Sequence, residues 1–108
     1  MRNLKNFKDK NYMLSLIKKL RLRVIEYRNN YLDNNINFDK YQSCTAIELA
    51  IIFADMYYTI NRKISDKELI YFKGGRFVSD IIGSDREFED IYDMYYELSN
   101  EIKNIFEK

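Results

Sequence analysis

Three times along this chain a hydroxyl residue is followed, three positions later, by a glutamate: Thr45 and Glu48, Ser65 and Glu68, Ser84 and Glu87. At a helix start of this kind the hydroxyl accepts from the third helical N–H, and the glutamate reaches back to the cap N–H. Each pair stands just ahead of an apolar-periodic segment, so each is expected to open a helix. The 108 residues include no proline and three glycines. A β-rich fold needs many tight turns, which draw on both residues, so the chain is expected to be all-α.

The spacing predicts a first helix over 11–32, with Met13, Leu16, Ile17, Leu20, Val24, Tyr27 and Tyr31 on one face. Residues 33–42 read as a loop, with Ile36, Phe38 and Tyr41 tucked back onto the helices. A second helix is predicted over 46–62. It is apolar nearly all round, with a narrow polar stripe of Glu48, Asp55, Thr59 and Arg62, and is expected to be the most buried. A third is predicted over 66–82, with Ile70, Tyr71, Phe77, Val78, Ile81 and Ile82 inward, Gly74 in the middle of that face and Gly83 as its stop. A fourth is predicted over 85–106 on Phe88, Ile91, Tyr95, Leu98, Ile102 and Ile105. Short connections favour antiparallel neighbours. The expectation is a single domain over 1–108, an up-down-up-down four-helix bundle with residues 1–10 loosely held.

The composition removes much chemistry. There is no histidine and one cysteine, Cys44. Imidazole bases, imidazole metal ligands and thiolate zinc sites therefore drop out. No phosphate-loop or dinucleotide fingerprint occurs. The chain is expected to be non-enzymatic, with no cofactor and no metal. Cys44 cannot form an internal disulfide and reads as an inert small hydrophobe, which fits a reducing, cytoplasmic setting. No apolar run reaches the roughly 18 residues of a membrane span, and the basic N-terminus lacks the apolar core of a signal peptide. Phe, Tyr, Met, Ile, Asn and Lys supply 57 residues, against 13 from Gly, Ala, Arg and Pro. That bias points to an AT-rich bacterium, or to a phage or plasmid living in one.

Charge is divided along the chain. Residues 1–32 carry nine Lys/Arg against two Asp/Glu, and residues 84–108 carry three against eight, although the total is only +1. On the first helix Lys18, Arg21 and Arg28 share a side with Lys10, and Leu14, Leu22, Ile25 and Leu32 lie among them. Mixed arginine and aliphatic surface suits a protein interface or a homodimer seam; it also suits phosphate tracking, or packing on the fourth helix. On the fourth helix Asp90, Asp93, Glu97 and Glu101 form an acidic row opposite the apolar seam. The row reads as a solvated face or a grip for a basic partner. A third constellation is Lys73-Gly74-Gly75-Arg76. Gly74 suits close helix approach or a helix break that exposes an anion site. Leu69 and Phe72 are expected outward beside Lys73, Arg76 and Asp80, as an interface patch. Asp55 is expected to take a partner from another helix.

A small histidine-free helical chain with a basic first helix resembles, in size and pattern, the bacteriocin immunity proteins of Gram-positive bacteria. Small phage proteins that inhibit bacterial defence systems share the profile. The leading expectation is an inhibitor or anti-defence (anti-CRISPR-like) module of a mobile element, which occludes a partner protein that itself binds nucleic acid. Two rivals stand beside it. One is a nucleic-acid-binding module using the first helix. The other is an enzyme or small-ligand binder built on Asp55, Lys73 and Arg76, with a pocket of Tyr57, Tyr58 and Tyr71.

Overall fold

A computed structural model describes residues 9–32, 37–74 and 85–107. These form four α-helices: α1 Lys10–Tyr27, α2 Phe38–Ile60, α3 Asp66–Lys73 and α4 Arg86–Phe106. No strand occurs among the described residues, so the fold is all-α. The expectations on Ile36, on the Leu32 side chain and on everything from Gly75 to Ser84 lie outside the described residues. Those include Arg76, the outer half of the third helix and the Ser84 hydroxyl.

Met13, Leu16, Ile17, Leu20, Val24 and Tyr27 of α1 are all buried, as their spacing requires. The helix then widens into a single π-helical turn, Arg28–Leu32, and Tyr31 is half exposed instead of continuing the buried stripe. The Tyr31 hydroxyl bonds the Glu87 carboxylate, which raises the tyrosine's pKa.

The second helix begins eight residues ahead of its predicted start. Asn37 caps it by accepting from Lys40 N–H at 3.1 Å, and Asp39 follows in the first turn. Thr45 is therefore not a cap. Its hydroxyl donates back to the Tyr41 carbonyl at 3.1 Å, inside the helix. No glycine or proline interrupts 37–46, and extending the helix buries Ser43 and Cys44. The helix closes at Asn61, in the left-handed region at φ 58°, whose N–H returns to the Met56 carbonyl. Contrary to expectation, α2 is no more buried than its neighbours: seven of its 23 residues are buried, against seven of 21 in α4.

Ser65 opens α3 with the predicted capping box: Glu68 N–H donates to the Ser65 hydroxyl at 3.2 Å, and Ser65 N–H donates to Glu68 Oε1 at 3.0 Å. Arg62 closes on the same glutamate, 3.0 Å from both oxygens. The face of α3 is turned relative to the prediction. Leu69 and Phe72 are buried while Ile70 is 63% exposed. The predicted phase was averaged over 66–82, whereas the described helix ends at Lys73 with Gly74 as its cap. A Cβ on Gly74 would meet only the Ile70 and Tyr71 carbonyls at 3.6–3.7 Å, so among the described residues no facing helix requires a glycine there.

Asp85 caps α4, accepting from Phe88 N–H at 3.1 Å. Phe88, Ile91, Tyr95, Leu98 and Ile102 are fully buried, as predicted, and Ile105 is half-buried against them. The Tyr95 hydroxyl donates to the Tyr71 carbonyl and ties α4 to α3. Helix α1 packs on α2 and α4, and α3 packs on α2 and α4 from the other side. The molecule measures 50 × 22 × 22 Å.

Candidate functional site

Arg21, Ile25 and Arg28 recur at the 4-3 spacing of one helix edge, and that edge lies along α2. On α2, Glu48 and Asp55 are seven residues apart, two turns along one side. Arg21 Nη2 stands 3.5 Å from Asp55 Oδ2, and Arg28 Nη2 contacts Glu48 Oε1. The Thr59 hydroxyl also donates to Asp55 at 3.0 Å. Between the two ion pairs lies a depression of about 210 Å³, lined by Arg21, Ile25, Glu48, Ile51 and Ile52. Its aliphatic rim stays in solvent: Ile25 is 40% exposed, Ile52 43% and neighbouring Leu22 55%. The Arg28 guanidinium lies 6.0 Å from the Tyr41 ring centroid, and its Nε is buried without a hydrogen-bond partner among the described residues.

Ion pairs as exposed as these contribute about 0–1 kcal/mol each. They draw both guanidinium groups toward α2 and leave buried Ile51 as an aliphatic floor between them. Held arginines around exposed aliphatics have the chemistry of a protein-recognition surface.

Three residues chosen from the sequence, Arg21, Ile25 and Arg28, thus meet in one groove. The neighbour they face is α2, not the fourth helix; Arg23 of α1 does reach α4, 3.7 Å from Asp90. Lys18 is exposed on α1. Asp55 takes its partner from another helix, as expected, though its side chain is 43% exposed.

The second expected patch does not exist as drawn. Phe72 is fully buried and Leu69 nearly so, because the phase of α3 is set by its inward packing. Lys73 pairs with Glu107 at 2.6 Å. The acidic row also divides. Asp90 and Asp93 are exposed, Glu97 accepts from the Tyr12 hydroxyl, and Glu101 is only 5% exposed. Glu101 lies beside Tyr58 of α2, whose hydroxyl is pushed up in pKa by burial first and by Glu101 second. Tyr57, Tyr58 and Tyr71 divide between two ring contacts: Tyr57 and Tyr58 pack edge to face at 5.0 Å, while Tyr71 packs on Phe53 at 5.5 Å. Among the described residues no cluster of three His, Cys, Asp or Glu is placed to hold a metal.

Two features escape the sequence patterns. The first is a groove of about 330 Å³ between α2 and α3, lined by Phe38, Tyr41, Gln42, Thr45, Ala46, Leu49 and Tyr71. Reading 33–42 as a loop hides it; Asn37 followed by Asp39, with no breaker after them, is the signal that finds it. The second is a junction at Asp85. Beyond its cap bond, Oδ2 accepts from the Tyr27 hydroxyl at 2.6 Å and from Lys40 Nζ at 2.7 Å. Burial raises the Asp85 pKa, but the bonds from Lys40, Tyr27 and Phe88 N–H outweigh it and hold the carboxyl at about 2. Burial of Cys44 nearby pushes its thiol up to about 11, against the lowering pull of Arg28.

No family model, curated protein or solved structure matches this chain.

Proposed function

We propose that the chain is a small non-enzymatic module that binds and occludes a partner protein through the α1–α2 groove, and that it derives from a phage or other mobile element of an AT-rich bacterium. The observation that carries this reading is the pairing of exposed Ile25 and Ile52 with two arginines held in place by cross-helix carboxylates. Such a surface loses little side-chain entropy on binding, because its guanidinium groups are already positioned. The same pairs count against phosphate tracking by α1. Arg21, Arg23 and Arg28 each already face a carboxylate, and a nucleic acid would have to displace it. We further propose an up-down-up-down four-helix bundle, on the packing of α1 and α3 between α2 and α4.

The test is affinity capture from host lysate with the wild-type chain and with Ile25→Asp. A partner held by the wild type and lost by the variant, with helical circular dichroism unchanged, supports the groove. A partner held equally by both sinks it. Binding of labelled oligonucleotides at about 50 mM salt, collapsing by about 200 mM, transfers the surface to nucleic acid.

A further inference from the structure

Helix α2 carries a second exposed face beside the α1–α2 groove, and Ile52 of that groove's rim lies at the edge they share. Phe38, Gln42, Thr45, Leu49, Met56 and Ile60 recur along it at helical spacing, turned away from the buried Ile47, Ala54 and Tyr58. Phe38 and Ile60 stand at its two ends, 67% and 64% exposed, and the groove of about 330 Å³ runs along its first half. The mean hydropathy of α2 reaches 1.3 over an 18-residue window of which only 39% is buried. Apolar side chains gathered on one helix face, here with Gln42 and Thr45 among them, mark an interaction surface.

We infer that this face is covered by a second copy of the same chain, with the two α2 helices antiparallel across a two-fold axis near Leu49. Two observations favour that occupant. The strip is self-complementary: with Leu49 on the axis, Phe38 falls over Ile60 of the second copy and Gln42 over its Met56. The ends are also charge-complementary. Asp39 is exposed in the first turn and Lys63 is exposed just past the last, so antiparallel pairing brings each toward its opposite, and the helix poles likewise. Parallel pairing would set Asp39 against Asp39. Glu48 and Asp55 sit on the other edge of α2, engaged by Arg28 and Arg21, so neither carboxylate is buried unpaired by the contact.

Sedimentation equilibrium across micromolar concentrations reads the outcome. The wild type is expected at twice 13.2 kDa, and Leu49→Arg at 13.2 kDa. Because Leu49 is half-buried, Phe38→Arg at the exposed end serves as the second variant and is expected to shift the mass in the same direction with its helical signal intact. Register is read by cross-linking. A mixture of Phe38→Cys and Ile60→Cys chains is expected to link through a short thiol reagent, and Phe38→Cys alone is not. A wild-type monomer overturns the pairing, whether it stays in solution or pellets with phosphatidylcholine vesicles. A dimer unmoved by both substitutions, or one linked through Phe38→Cys alone, also overturns it. Loss of the dimer leaves the lysate test at Ile25 unaffected, so the two readings fail separately.

Discussion

Protonating the Asp85 carboxyl weakens three junctions together, since Phe88 N–H, the Tyr27 hydroxyl and Lys40 Nζ all donate to it. Its pKa lies at about 2 instead of the ordinary 3.8, so folding favours the ionised form. That stability is complete above pH 3.8 and is lost as the pH falls toward 2, and the difference corresponds to about 2 kcal/mol. Asp85→Asn keeps a cap oxygen but loses the ion pair with Lys40. It is expected to cost about 1–2 kcal/mol in urea unfolding at neutral pH, with the gap to wild type closing as the pH nears 2. A gap that persists unchanged in acid would assign the loss to packing. At this scale the sequence was readable where a residue's partner lies on its own helix. The Arg28–Glu48 and Lys40–Asp85 pairs join residues 20 and 45 positions apart, which no local pattern reports.

Among the helices, the Ser65–Glu68 signature formed in full, whereas Thr45–Glu48 belongs to the interior of a longer helix. The difference lies upstream. Residues 61–65 leave the helical path before Ser65, with Asn61 left-handed, while nothing ahead of Thr45 stops a helix already capped at Asn37. Asn37→Ala removes the bond to Lys40 N–H and is expected to cost about 1 kcal/mol. Hydrogen exchange should quicken over residues 38–45 and leave the rest of α2 protected. Faster exchange along the whole helix would mean that α2 melts as one unit. The stripes of α1 and α4 were legible because each repeats over many turns. The phase of α3 was not, because eight residues offer two inward positions and the pattern borrowed the rest from beyond Lys73.

Over the whole molecule, the charge divided along the chain is partly folded back on itself. Basic α1 meets carboxylates on α2 and α4 at Asp55, Glu48 and Asp90. The separation in sequence was visible; its use as internal matching depended on which helices become neighbours. One buried atom offers a way to time how the assembly comes apart. Cys44 supplies the chain's single thiol, fully buried on the inner face of α2, with a pKa pushed up to about 11. A thiol reagent can reach it only when the helices separate, so its labelling is a clock for opening events. At neutral pH the labelling rate is expected to plateau as reagent increases, at the opening rate itself, and Asp85→Asn is expected to raise that rate. A rate that climbs without limit and matches a free thiol would mean that Cys44 is reached without opening. Read inside a cell, the same atom would report the chain's survival in its native surroundings without an added label site.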